Sequence, residues 1–372
     1  MEIPNQRMQL FQGGKVFLAS LVFATWLVAS QPKGCFGLPF LEEEANEAST
    51  LQPILDHVYN LQYDQARSEL EAWIARHPSD LSARNFLPKV ILDKELLKEG
   101  LFSGSFYSKG LDAVLKRRVT APPTFFNELN RLLDEAQGLE EQRLRRDHKD
   151  KEALYWMGVM YSTRSELDFT LKHSYLSALR DGGKARQYNL DLLKQDRAAV
   201  DAYFVLGLAD YVAGSLPWYL RALASMGGHH GTRSQGLTEL REVSEKGTRA
   251  RVDAKIVLAT LYRRERMYPQ AVELLRELQR SYPRNYLIPS EIADIYKAEG
   301  DWRAAAGVYD GMVASFAGNG FAANPWTSDQ VPAATILYDA GKAHEHLGET
   351  EEASSLFRRA RDAGHSWDGA QQ

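Results

Sequence analysis

An all-α fold, built as a solenoid of antiparallel helix pairs, is predicted by three observations. Apolar residues recur at three- and four-residue steps from about Leu51, as in Ala66, Leu70, Trp73 and Ile74, the period of an amphipathic helix. No stretch shows the strict alternation of a half-buried strand. Breakers divide the apolar segments at Pro78, Pro122-Pro123, Gly182-Gly183, Gly227-Gly228, Pro283 and Asn324-Pro325, so short helices are expected to be joined by short turns.

The C-terminal half repeats itself. Leu258-Ala259-x-x-Tyr262 is followed by Ala271, Leu275, Leu278 and Pro283. The same grammar returns as Ile292-Ala293-x-x-Tyr296 with Ala305, Tyr309 and Met312, and again as Ala340-Gly341-x-x-His344 with Ala353, Phe357 and Ala360. Both small markers advance by 34 residues between the first two copies and by 48 between the second and third, so an insertion of 14 residues is expected over 317–331. Two antiparallel helices approach closely only where side chains are small. Ala259 with Ala271, Ala293 with Ala305, and Gly341 with Ala353 supply one small residue per helix. A single pair leaves an apolar face uncovered, so pairs stack.

This grammar resembles the tetratricopeptide repeat, whose pattern runs from a large residue through Leu-Gly and Tyr to Ala, Phe, Ala and a closing Pro. Leu154-x-x-Met157-Gly158-x-x-Tyr161 and Tyr203-x-x-Leu206-Gly207 are similar to further first helices, and Ala66, Leu70, Trp73 and Pro78 to a second helix. The expected organisation is a leader over 1–30, a linker over 31–49, a helical repeat array over 50–365 and a tail over 366–372. Irregular insertions are expected at 100–123, 212–236 and 317–331. Pro217, preceded by Ser215, is placed to open an extra helix carrying Trp218, Tyr219 and Leu223.

The leader has its own signature. Arg7 and Lys15 precede an uncharged, mostly apolar run from Val16 to Ala29, and Val28-Ala29-Ser30 ends in small residues. That is the order of a secretory signal, and 14 residues fall short of the roughly 20 that span a bilayer. Export to the cell envelope or beyond is expected, with an uncleaved N-terminal anchor as the alternative. Membrane contact is expected only through residues 16–29.

Composition narrows the function. The 372 residues carry 45 basic and 49 acidic side chains, a formal net charge of −4, which disfavours nucleic acid as a partner. The single cysteine, Cys35, allows no internal disulfide. Phosphate loops, dinucleotide fingerprints, His-Glu-x-x-His and nucleophile elbows are all missing from the sequence. His229-His230 sits on a glycine-rich turn with no further ligand nearby in sequence. His344 and His346 lie two apart on one helix and point in different directions. No cofactor, metal or catalytic residue is expected, and the leading expectation is a non-catalytic scaffold for a protein or peptide. The alternatives are an enzyme or small-ligand binder with a site in 80–147 or 212–236, and a membrane-anchored assembly factor.

The resemblance also implies where a partner would lie. In the family, four positions of each first helix line the inner face. By register these are Asp253, Ile256, Thr260 and Arg263; then Leu287, Ser290, Asp294 and Lys297; then Thr335, Tyr338, Lys342 and Glu345. The corresponding positions do not supply the combination of paired lysines, asparagines and an arginine with which some members clamp a peptide carboxylate.

Overall fold

The computed structural model describes residues 51–101, 121–215, 231–317 and 333–363. The leader over 1–30, the linker with Cys35 and the tail lie outside them. So do most of the three insertions, including Pro217 and His229-His230.

Every regular element among the described residues is helical. A helical segment at 51–59 is followed by α1 (Tyr63–Arg76), α2 (Leu81–Lys98), α3 (Pro123–Arg146), α4 (Lys151–Thr170) and α5 (Tyr175–Gln195). A 3-10 turn (Val200–Ala202) leads into α6 (Tyr203–Ser215), then α7 (Arg233–Lys246) and α8 (Arg251–Arg264). The order closes with α9 (Tyr268–Ser281), α10 (Leu287–Glu299), α11 (Trp302–Ala317), α12 (Ala333–His346) and α13 (Thr350–Ala363). The chain forms two compact units, one holding 51–58, 62–101, 121–215 and 231–255, the other 59–61, 256–317 and 333–363 within the described residues.

Within the first unit α2 packs on α3 and also on α4, α4 on α5, and α6 on α7. Even-numbered elements are thus first helices and odd-numbered ones second helices, and the segment at 51–59 stands first to α1. In the second unit α10 packs on α11 and α12 on α13.

Two recurrent turns explain this alternation. Within a pair, the first helix closes on a residue in the left-handed region: Leu61 (φ 61°), Arg266 (φ 60°), Gly300 (φ 83°) and Gly348 (φ 76°). Each stands two residues before the next helix. The amide one residue later reaches back five, from Gln62 to the His57 carbonyl (2.8 Å), Met267 to Tyr262 (2.8 Å), Asp301 to Tyr296 (2.9 Å) and Glu349 to His344 (3.0 Å). This is the Schellman closure, which satisfies end carbonyls left without helical partners. Between pairs, a four-residue turn recurs at His77–Asp80, Asp147–Asp150 and Tyr282–Asn285, closed by amide-to-carbonyl bonds of 3.0–3.1 Å. Pro78 and Pro283 hold the second turn position, where their fixed φ fits. The last residue then caps the next helix where it is Asp: Asp80 accepts from the Ala83 amide and Asp150 from Ala153, both at 3.0 Å.

One expected break is misplaced. Gly182-Gly183 lies inside α5, not between helices. The actual break falls at Leu171–Ser174, where His173 takes φ 52°. Gly182 is buried, and packing of α5 against α4 offsets the weak helix propensity of glycine, about 1 kcal/mol per residue.

The small residues of the grammar mark close helix approach. A Cβ on Gly207 would come within 3.0 Å of the Gly236 carbonyl, and one on Gly236 within 2.4 Å of the Gly207 carbonyl and 2.5 Å of the Tyr211 amide. At Gly158 it would meet the Asn189 side chain at 2.3 Å, and at Gly341 the Phe357 ring at 2.6 Å. Ala259, Ala271, Ala293, Ala305 and Ala353 are all buried.

Candidate functional site

In the second unit, successive first helices present their charged residues to one another. Arg263 Nη1 donates to Glu291 Oε1 of α10 at 2.5 Å and stands 3.9 Å from Asp294. Lys297 Nζ lies 2.6 Å from Asp294 and 5.3 Å from the centre of the Tyr309 ring. The Tyr309 hydroxyl is hydrogen-bonded to Asp294, and Asp339 of α12 feels Lys297 as its counter-charge.

The spacing is regular. Counted from the small residue of each copy, Arg263 and Lys297 are both four positions after it, and their partners Glu291 and Asp339 are both two positions before the next one. The last turn of one first helix thus pairs with the first half of the next. Burial drives the Glu291 carboxyl up, with Arg263 opposing. Burial likewise raises Asp339, against Lys297. Burial also works against charge on Arg263, but Glu291 and Asp294 outweigh it and raise its pKa. The wall is largely self-neutralised.

The other expected inner-face residues distribute as follows. Ile256 and Tyr338 are exposed, at 38% and 53%, and are the large exposed apolar side chains of this unit among the described residues. Both stand three positions before their small residue. Tyr338 leans on Phe357 with ring centroids 5.5 Å apart, and Phe357 occupies the room left by Gly341. Ser290 stands in the equivalent place of the middle copy and turns its hydroxyl to the Tyr286 carbonyl at 2.8 Å. Thr260 does the same to Ile256 at 3.2 Å. Leu287 is half-buried, Thr335 is exposed, and Lys342 pairs with Glu345.

Asp253 belongs to the first unit. There it contributes to a group formed by Lys89 and Asp93 of α2 and Glu166 of α4. Lys89 contacts Asp93 and lies 3.1 Å from Glu166. Three carboxylates share one ammonium, so Asp93, the least exposed of the contacting groups, is pushed up to about 7 by burial despite Lys89. Lys89, Asp93, Glu166, Glu291, Tyr309 and Asp339 are not among the residues read from the sequence. The two-before position of each copy was the available signal for Glu291 and Asp339.

His344 and His346 do diverge. His344, 8% exposed, bonds Glu349 at 2.6 Å through Nδ1 and Asp310 at 3.0 Å through Nε2. His346 stacks on Trp302 at 3.7 Å. Among the described residues no three His, Cys, Asp or Glu side chains are arranged to hold a metal, and no helix is long and apolar enough to cross a membrane. Residues 80–147, where the repeat is hardest to read, hold the pair α2 and α3. A cavity of about 280 Å³ beside them is lined by Arg67 and Glu128, which pair at 2.6 Å, and by Lys94, which reaches out to Asp64 at 2.5 Å, among apolar neighbours such as Val90 and Phe125.

Models of the tetratricopeptide repeat match residues 254–285 and 290–366. Among solved structures, the chain is similar to a tetratricopeptide repeat protein from Parabacteroides merdae, at 15% identity over 87% of this chain and 95% of that one, with a TM-score of 0.32. It is also similar to yeast Tom70, at 13% identity over 87% and 86%, with a TM-score of 0.31. No curated protein matches the chain. The two family matches fall on the pairs α8 to α13, whose spacing, turns and small-residue contacts are those described above, and residues 254–366 carry tetratricopeptide repeats.

Proposed function

We propose that the chain is a non-catalytic scaffold that holds an extended segment of a partner protein across the first helices α8, α10 and α12. One observation supports this reading best: Ile256 and Tyr338 are exposed at the same register position of two repeats. The charges around them are paired with one another, Arg263 with Glu291 between α8 and α10 and Lys297 with Asp294 within α10. Such a wall offers apolar anchors with little net field, and repeat arrays bind along the face their stacked helices present. The partner class is an extended peptide with apolar side chains spaced along it. The Val16–Ala29 leader supports a working place in the cell envelope or outside the cell, and N-terminal sequencing of the mature protein tests that separately.

Photo-crosslinking tests the scaffold reading. A crosslinker placed at Ile256 or at Tyr338 is expected to capture the same partner peptide, and one at Glu273 on the second helix α9 is expected not to. Equal capture from all three positions overturns the assignment of the face.

A further inference from the structure

Inside the first unit, Asn85 of α2 and Glu140 of α3 meet in a dry setting, at 1% and 0% exposure. Asn85 Nδ2 donates twice, to the Leu81 carbonyl at 2.8 Å and to Glu140 Oε1 at 2.6 Å. The Leu81 contact fixes the amide's orientation, because a carbonyl requires a donor. Both N–H groups are then used. Left over are two buried acceptors with no partner, Asn85 Oδ1 and Glu140 Oε2. A carboxylate here would leave both acceptors without a donor, in a place where unpaired polar atoms cost about 1–3 kcal/mol each.

We propose that Glu140 is a neutral carboxylic acid in the folded protein, its Oε2–H donating to Asn85 Oδ1, so that α2 and α3 are joined by a closed acid–amide ring that a single proton makes or breaks. One proton converts Oε2 into a donor and satisfies both leftover atoms. The surroundings agree. Burial pushes the Glu140 carboxyl up to about 8, against the hydrogen bond from Asn85 and the more distant Arg164 of α4. Glu141 on the same helix raises it further, and Tyr188 of α5 faces the site as a second group whose ionisation is suppressed. Arg164 gives one terminal nitrogen to Asp134 at 2.8 Å, and no hydrogen bond joins it to Glu140, although its buried Nε has no partner of its own. The joint is therefore a pH-sensitive device. The folded state holds a proton that the unfolded chain, with a glutamate near ~4.3, releases. Stability from this group is full below that value and falls as pH rises towards about 8, where the folded carboxyl itself ionises.

Glu140→Gln decides the matter, because glutamine reproduces the neutral acid: its amide donates to Asn85 Oδ1 and accepts from Nδ2. Denaturant unfolding of wild type and Glu140→Gln is followed from pH 5 to 9, with the infrared carboxylic-acid band recorded at pH 7. The variant is expected to remain as stable as wild type near neutral pH. Its folding equilibrium gains on wild type by up to roughly tenfold per pH unit between pH 5 and 8 and levels off above. The acid band is expected to lose one component in the variant. If Glu140→Gln is instead less stable at pH 7 and the wild-type advantage persists or grows with pH, Glu140 is an ion held by Arg164 or by a buried water, and the ring is wrong. An unchanged acid band would likewise overturn it.

Discussion

At the residue scale, glycine in this chain does two separate jobs, which predict opposite responses to alanine. Gly236 has backbone against it, with the Gly207 carbonyl and Tyr211 amide inside 2.5 Å of a new Cβ. Neither atom can move without shifting a helix. Gly236→Ala should destabilise the protein by about 1–3 kcal/mol. Gly307, exposed on α11, has nothing within 4 Å, and Gly307→Ala should stabilise by about 0.5–1 kcal/mol. Thermal melts of both variants beside wild type give the two signs. Arg266 bears the opposite burden, a side chain at φ 60° where two equivalent turns use glycine. The left-handed cost of about 1–2 kcal/mol exceeds glycine's entropic cost, so Arg266→Gly should leave stability unchanged or raise it by up to about 1 kcal/mol. A loss of more than that would mean the Arg266 side chain holds the turn. Register-bearing glycines such as Gly207 and Gly341 were legible because they recur. Gly182 was misread because a glycine inside a packed helix looks, in sequence, like one that ends it.

At the scale of elements, the ladder between first helices is where stacking acquires specificity. Arg263 and Glu291 are 20% and 17% exposed, so neither is a freely solvated surface ion. A double-mutant cycle with Arg263→Met and Glu291→Gln should show a coupling of about 0.5–3 kcal/mol. Coupling near zero, as for an exposed pair, would remove the ladder from the stacking of α8 on α10. His344 joins three further elements, with Asp310 on α11 and Glu349 at the start of α13 as its partners, and Arg303 beside Glu349. Burial disfavours its charge, but the two carboxylates outweigh this and its pKa is raised. The sign follows. The contribution is full below the unfolded imidazole value of about 6.5 and is lost as pH rises through the higher folded value. Wild type should therefore lose stability relative to His344→Gln on going from pH 6 to 8; a constant difference across that range would show the imidazole to be neutral throughout. His344 was visible in the sequence only as a failed metal ligand. Its partners are 34 and 5 residues away, and only the folded pairs bring them together.

At the scale of the molecule, binding should be separable from folding. Ile256→Asp with Tyr338→Ser removes largely exposed apolar surface, at the cost of one ring contact with Phe357, so the melting temperature should stay close to wild type, while crosslinked capture of the partner through α10 is lost. Loss of both together would mean that these side chains build the fold rather than serve it. The sequence by itself determined the all-helical class, the 34-residue step and the position of small residues, because each follows from local periodicity repeated in copies. Only the tertiary structure decided which charges meet, since Arg263 finds Glu291 on the next first helix, Asp339 lies in the field of Lys297, and Asp253 acts on Lys89 and Asp93 of the first unit. It also decided that Asn85 and Glu140, 55 residues apart, share one buried hydrogen bond. The reason is physical. Helix pairing depends on volume and period, which neighbouring residues encode, whereas electrostatic partnership depends on distances across helices that no stretch of sequence contains.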